Sequence, residues 1–537
     1  MNQHNLLINE HNGYIQHTIQ LMDSSIRDGG NVNDWNFGNR TIKGIIRNLV
    51  KAKIDYVEIG YLKECEFNDN RTLYQTVSQA ERNIVQEDES SEYSLMVQVD
   101  KWNWDNLEPC TGKIQNIRVS FHKIRIDDGM ALCRRVMEEG YVCHCNPINI
   151  MGYSDAELLA LLAVINELHP QVFTIVDTFG SISLADIKRI SMILQNNLLE
   201  DIKIAVHFHE NMGLAFALAI EFISQFSYKR DIIIDASLYG IGRVPGNLCI
   251  ESAARYLNQE YGKTYDIDYI YDAIDDYIAS IKKKNPWGYE LAYALSGFYN
   301  LHRTYAEFLL KKGKLKTKDI RSILESIPIE ERVIYNQSVI EKLYKEYICK
   351  TYEDSDDIAG FVRRVNQRTV LIIAPGASLL ENKDEVSVLA AQKDTIVIAV
   401  NFIPDIIRTD ILLFTNKKRF AQYSEYLTDS KEIAVTSNLI DDVEGADYIF
   451  NYVDLITYGE IQIEDSVLTI LHLLNEHAKR TKCYVAGFDS ISNSAKYIDE
   501  SMELVHSVQV RSEEILNAIA GFLDLQIIYI GKNITND

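Results

Sequence analysis

Ile202-Lys203-Ile204-Ala205-Val206-His207-Phe208-His209-Glu210-Asn211 is a β-rich, apolar run that ends in two histidines two residues apart. Side chains i and i+2 of a strand point to one face, so both imidazoles would enter one cavity, which is a metal-ligand geometry. Alone, the pair reads more readily as two polar residues that close a strand, so its meaning depends on its surroundings. Through the first 260 residues one unit recurs, a short apolar strand followed by a helical segment. Strands are expected at Ile19 to Asp23, Tyr56 to Tyr61, Ser94 to Asp100, Asn116 to His122, Tyr141 to Ile148, Val172 to Thr178, Ile202 to His209 and Ile232 to Tyr239. Amphipathic segments lie between them, among them Asn39 to Ala52, Asp155 to Leu168 and Leu184 to Gln195. Eight βα units over about 250 residues predict an α/β fold, a (β/α)8 barrel.

Active sites of such barrels gather at the C-terminal ends of the strands. Polar residues crowd those ends here: Asp23, Arg27 and Asp28 after the first strand, Glu58 in the second, Asp100 at the third and His122 at the fourth. Asn146 lies in the fifth, Asp177 and Thr178 end the sixth, and His207 and His209 end the seventh. Any one of these would pass as a turn residue; seven strands of eight point to a site.

Composition narrows the function classes. A chain of 537 residues, 47% hydrophobic and 24% charged, predicts a soluble protein of two or three domains. A net charge of −23 argues against a nucleic-acid or anionic-membrane surface, while leaving room for a local cationic site. No apolar run has the length of a bilayer span, and Met1 to Gln20 is polar, so a cytoplasmic location is expected. Eight scattered cysteines with no C-x-x-C framework read as reduced thiols.

Three segments, in order, resemble a known family. Leu21-Met22-Asp23-Ser24-Ser25-Ile26-Arg27-Asp28-Gly29-Gly30 is similar to the Arg-Asp-Gly signature of the DRE-TIM metallolyases, the group of 3-hydroxy-3-methylglutaryl-CoA lyase and 4-hydroxy-2-oxovalerate aldolase. His207-Phe208-His209-Glu210-Asn211-Met212-Gly213 resembles that group's H-x-H-[DE]-N-x-G segment. Asp235 to Asn247 resembles its glycine-rich closing loop. The resemblance covers roughly residues 18 to 310 and implies a divalent cation held by Asp28, His207 and His209, with Asn247 at a position where some members add an amide ligand and others leave it to water. Mixed nitrogen and oxygen ligands suit Mn²⁺, Mg²⁺, Co²⁺ or Zn²⁺, and ligand type alone does not choose among them; Mn²⁺ or Mg²⁺ is the expectation. The implied reaction makes or breaks a carbon–carbon bond of a 2-oxo acid through a pyruvate-type enolate. Arg27 is then a second positive contact for the developing charge, Glu58 a group that orients Arg27, and Thr178 a hydrogen-bond partner of the substrate carboxylate.

The chain departs from the family pattern at one point. The resemblance implies a histidine four residues after the motif arginine, and Asn31 stands there instead. An amide is no base near neutral pH, so the proton acceptor is sought elsewhere: His122, a bound water or the substrate itself. Lys123 invites a Schiff-base mechanism, which a metal triad makes redundant.

Residues 261 to 357 read as a charged helical extension broken by Pro286-Trp287-Gly288-Tyr289. In the family such an extension covers the barrel mouth or joins subunits, which brings Tyr289, Tyr293 and His302 into consideration and a homo-oligomer into expectation. Tyr352 to Asp357 reads as an acidic linker. From 358 to 537 a new α/β pattern begins, with strands expected at Thr369 to Ala374, Thr395 to Asn401, Ile411 to Thr415, Glu432 to Ser437, Tyr448 to Tyr452 and Cys483 to Phe488, a smaller doubly wound, Rossmann-like domain. Its turn Pro375-Gly376-Ala377-Ser378 lacks G-x-G-x-x-G and a P-loop lysine, though Gly376 and Ser378 are placed where a phosphate would sit. With Gly487-Phe488-Asp489, this segment loosely resembles nucleotide-binding domains of bacterial sialyltransferases and other surface-glycan proteins, which implies a nucleotide-linked sugar and a place in polysaccharide precursor synthesis. Three readings stand open: a metal-dependent aldolase acting on a 2-oxo acid and an aldehyde, a Claisen-type acyl-CoA lyase or synthase, and a nucleotide-sugar binding protein with a decayed barrel.

Overall fold

Eight strands form the barrel of the first sheet: β1 Ile19–Asp23, β2 Tyr56–Leu62, β3 Glu92–Gln98, β4 Ile114–Phe121, β5 Val142–Pro147, β6 Val172–Asp177, β7 Lys203–Phe208 and β8 Ile232–Ala236, with the two-residue strand Leu73–Tyr74 added beside β2. The structure is a computed structural model and describes residues 17–84, 91–348, 350, 352–405, 407–427, 431–458, 461–463, 465–478, 482–489, 498 and 526–530. Part of the polar N-terminal stretch therefore lies outside the described residues. Every neighbouring pair of these strands is parallel, and β1 pairs with both β2 and β8, which closes the sheet into a barrel. Burial on both faces explains the apolar run of β8, all five of whose residues are buried, while β4 alternates buried Asn116, Arg118 and Ser120 with Ile117, Val119 and Phe121.

The helices cover the barrel with one apolar stripe each. In Asn39–Lys51 the buried residues Ile42, Ile45, Ile46, Leu49 and Val50 recur at helical spacing. Asp155–Leu168 and Leu184–Asn197 start at capping boxes, Ser154 with Glu157 and Ser183 with Asp186. The seven described cysteines are unpaired. No described helix is long and apolar enough to cross a membrane.

The chain divides into two compact units, Met1–Arg303 and Thr304–Asp537. The second opens with helices Thr304–Lys311, Thr317–Glu325, Gln337–Ile348 and Ser355–Val365. The acidic stretch expected to be a linker is instead the start of the last of these. Asp354 is its N-cap, and Asp356 and Asp357 occupy its first turn, where the positive end of the helix dipole favours carboxylates.

A second, smaller sheet follows, built of β9 Thr369–Ile373, β10 Thr395–Val400, β11 Ile411–Phe414, β12 Glu432–Thr436, β13 Tyr448–Phe450, β14 Lys482–Ala486 and β15 Gln526–Ile530. It is parallel throughout, in the order β13-β12-β11-β10-β9-β14-β15. Alternate residues of β9 enter two separate cores, Val370 and Ile372 on one side and Leu371 and Ile373 on the other, so both faces are covered. β15 was not anticipated from sequence.

Candidate metal centre at the barrel mouth

β1 delivers the first part of the site through a tight turn. Asp28 N–H donates to Ser24 O at 2.8 Å, and the indole of Trp35 donates to Arg27 O at 2.7 Å. The two glycines that follow are dictated by packing: a Cβ on Gly29 would meet Ile241 at 2.9 Å, and one on Gly30 would lie 2.0 Å from the Trp35 ring. Asp23 is occupied otherwise. Its carboxylate accepts from Ser25 N at 3.0 Å and Ser25 Oγ at 2.6 Å, and burial pushes it up to about 7.

β7 and the loop after β8 supply the rest. Beyond β7, Glu210 N–H donates to Gly246 O at 2.8 Å and His209 bridges Asn247 in antiparallel register. That return of the chain places Asn247 beside Asp28, its amide nitrogen 2.9 Å from Oδ2. Gly246, with φ +122°, stands where a Cβ would meet Gly240 O at 2.5 Å.

Asp28, His207 and His209 converge, with one ligand atom from each lying within 4.8 Å of the others. Oδ2 of Asp28 is 4.0 Å from His207 Nε2 and 3.7 Å from His209 Nε2. The other nitrogen of each ring is engaged elsewhere: His207 Nδ1 faces Asp235 Oδ2 at 3.1 Å and His209 Nδ1 faces Asp177 O at 2.8 Å. With both Nδ1 atoms donating, both Nε2 lone pairs point inward; His207 Nε2 is buried and has no hydrogen-bond partner among the described residues. These donors fit a divalent cation, and the outer carboxylate and carbonyl are the partners that fix metal-bound imidazoles. Burial holds His207 below the ordinary histidine value, against the pull of Asp235. Burial works against ionised Asp28, but Arg27 and the two histidines outweigh it and keep the carboxyl well below its usual range.

Arg27 is bound on two sides. Its Nε donates to Glu58 Oε2 at 2.6 Å and its Nη1 to Asp28 Oδ1 at 2.7 Å, while Nη2 is buried without a partner among the described residues. Glu58 is shared with fully buried Arg118, at 3.2 Å, and Arg118 also donates to Asp235. One chain of charges therefore runs Arg27–Glu58–Arg118–Asp235–His207. Neither Arg118 nor Asp235 was assigned a role from sequence. The available signal was a charged residue in the middle of an apolar strand, as in Ile232-Ile233-Ile234-Asp235.

The remaining expected residues are distributed around the rim. Thr178 Oγ1 accepts from Asn149 N–H at 2.7 Å. His122 is half-buried at the end of β4, and burial lowers it, with Asp100 opposing. Asn31 Nδ2 donates to Asp28 O at 2.8 Å, so it braces the first loop. Lys123 pairs with Glu157 at 2.7 Å. A segment of the first unit, residues 285–303, lies across the loops of this face: Trp287 Nε1 donates to Tyr239 O at 2.9 Å, Asn211 Nδ2 to Tyr293 O at 3.2 Å and Arg303 Nη1 to Val244 O at 3.3 Å. Tyr289 is exposed, Tyr293 is buried, and His302 meets Phe179 edge-on at 5.8 Å.

In the second unit, Gly376 and Ser378 do meet Gly487-Phe488-Asp489. Gly376 N–H donates to Gly487 O at 2.9 Å, and the Ser378 N–H and hydroxyl both donate to Asp489. The Gly376 donor is thus engaged by a backbone carbonyl and the Ser378 donors by a carboxylate.

A model of the HMGL-like family matches residues 18–276. Among solved structures, the N-terminal domain of a putative aldolase from Bacteroides vulgatus is similar at 23% identity, over 54% of this chain and 96% of that one, with a TM-score of 0.47. The HMG-CoA lyase of Bacillus subtilis is similar at 16% identity, over 51% and 96%, with a TM-score of 0.41. The carboxyl transferase domain of Rhizobium etli pyruvate carboxylase, solved with pyruvate and biocytin, is similar at 13% identity, over 65% of each chain, with a TM-score of 0.46.

Proposed function

We propose that the barrel, of which residues 18–276 match a model of the HMGL-like family, is a class II aldolase, resembling 4-hydroxy-2-oxovalerate aldolase, that makes or cleaves a carbon–carbon bond of a 2-oxo acid. The observation that carries this reading is the inward-facing pair of Nε2 atoms beside Asp28, each ring held from behind. Asp28, His207 and His209 would hold the cation, Mn²⁺ or Mg²⁺ by preference, with Asn247 adjoining. When bound, the cation supplies Lewis-acid polarisation of the keto oxygen.

The chain's own residues do the remainder. In the cleavage direction the bond between C3 and the hydroxyl-bearing carbon breaks, its electron pair delocalises as the enolate of the 2-oxo acid, and the hydroxyl proton passes to a base as the aldehyde leaves. Arg27, fixed by Glu58 and Asp28, directs its free Nη2 donor at the developing charge; such a donor is worth about 3 kcal/mol of barrier. His122 is the proposed base, since burial keeps its imidazole neutral at pH 7. Thr178 would contact the substrate carboxylate.

The wider assignments are proposals of the same kind: a catalytic domain over 1–260, a helical extension over 261–357, a Rossmann-like domain over 358–537 that takes a nucleotide-linked sugar at Gly376 and Ser378, a homo-oligomer, and a cytoplasmic location. The test is pyruvate formation from 4-hydroxy-2-oxo acids. Chelation is expected to abolish it, Mn²⁺ or Mg²⁺ to restore it, and His207→Ala to lower kcat by at least about 100-fold. Turnover that survives chelation would refute the reading, and isotope exchange into acetyl-CoA instead of pyruvate would select the acyl-CoA alternative.

A further inference from the structure

The barrel mouth carries a cation that has no counter-ion among the described residues. The acids around it are committed: Asp28 to Arg27, Glu58 to Arg27 and Arg118, Asp235 to Arg118 and His207, and Asp100 to Lys101 at 3.4 Å. Arg243 is different. Its backbone N–H donates to Asp28 Oδ2 at 3.3 Å and its carbonyl accepts from Gly246 N–H at 2.9 Å, so its Cα is pinned beside the candidate metal ligand. Its half-buried guanidinium makes no ion pair and donates no side-chain hydrogen bond among the described residues.

The surroundings show where that charge acts. Tyr61 at β2, His122 at the end of β4 and His302 on the covering segment all feel Arg243 electrostatically. None of them neutralises it. The Tyr61 hydroxyl sits on Gln98 at 3.1 Å, and His302 is held at about 4 by burial, with Arg243 and Arg303 adding to the effect. In a chain of net charge −23, an uncompensated arginine at the rim also offsets the long-range repulsion of an anion.

We propose that Arg243 is a specificity-determining residue that binds a carboxylate or phosphate at the end of the substrate remote from the 2-oxo acid, so that the aldehyde formed or consumed is itself anionic. The inference rests on the aldolase reading above. With the 2-oxo acid at Asp28, His207, His209 and Arg27, the rest of the substrate runs past the loop that carries Arg243. A guanidinium presents a planar fork that matches either anion in two-point contact.

The test is calorimetric binding of four 2-oxo acids to the full-length, Mn²⁺-loaded protein: pyruvate, 2-oxohexanoate as an uncharged chain, 2-oxoadipate with a distal carboxylate, and 2-oxo-4-phosphonobutanoate with a distal phosphonate. In the wild type at least one distal anion is expected to bind roughly tenfold to a hundredfold more tightly than 2-oxohexanoate. Which of the two gains identifies the anion. Arg243→Gln should bring that ratio close to one, and Arg243→Lys should retain part of it. A wild-type ratio near one for both anions, or a ratio that survives Arg243→Gln, overturns the inference while leaving the aldolase intact. Failure of all four compounds, pyruvate included, to bind the wild type overturns the aldolase reading and this inference with it.

Discussion

His207 and His209 each commit Nδ1 to the protein and leave Nε2 for the cavity, and the two commitments differ in kind. His209 leans on a backbone carbonyl, which cannot be mutated, whereas His207 leans on Asp235, which also faces fully buried Arg118. Asp235 is therefore the residue through which the barrel interior tunes the candidate ligand. Asp235→Asn is expected to weaken Mn²⁺ binding about tenfold to a hundredfold, measured by metal titration. Unchanged affinity would mean that Asp235 serves Arg118 alone. At this scale sequence reading singled out residues at strand ends, with Glu58 and Asn146 inside strands, and gave Arg118 and Asp235 no role. Arg118 and Asp235 were hidden because a charge in a buried strand announces only that a partner exists; which partner depends on closure of the barrel, 117 residues apart in sequence.

The turn that carries Arg27 and Asp28 is set by contacts from elsewhere as much as by its own residues. Gly30 allows the Trp35 ring to lie against the backbone, and that ring returns a hydrogen bond to Arg27 O. Gly30→Ala should displace Trp35 and destabilise the barrel by about 1 to 3 kcal/mol in urea unfolding. If the clash is the cause, adding Trp35→Ala should recover part of the loss; equal loss with and without Trp35 would place the cause elsewhere. Among elements, Asp155–Leu168 and Leu184–Asn197 were legible from their amphipathic pattern, and the structure adds a capping box at the start of each. The start of Ser355–Val365 was misread because its carboxylates suit solvent and a helix N-terminus equally.

For the whole molecule, pH links the buried ionisable groups to stability in two opposing directions. His144, within β5, is pushed down to about 3 by burial, with Arg118 adding to the effect. Its folded value lies below the unfolded one, near about 6.5, so its contribution is complete above that pH and is lost as pH falls towards 3. Asp23 and Asp177 are pushed up to about 7 by burial, so theirs is complete below about 3.9 and is lost as pH rises through 7. The raw stability curve mixes both signs, and the difference between wild type and His144→Gln isolates one. Relative to wild type, the variant should gain about 1.4 kcal/mol per pH unit between roughly 6 and 4, read from urea midpoints. A constant difference would show that His144 is not kept neutral by the fold.

The count of the barrel strands, their order and the ends near which Asp28, His207 and His209 stand were readable along the chain, because strand and helix periods are local and each turn carries its own punctuation. Two things waited for the closed barrel: the chain of charges from Arg27 to His207, and the absence of a counter-ion for Arg243 among the described residues. Whether a buried charge is satisfied is a property of everything within reach of it in space. Sequence spacing carries no information about that once β1 pairs with β8.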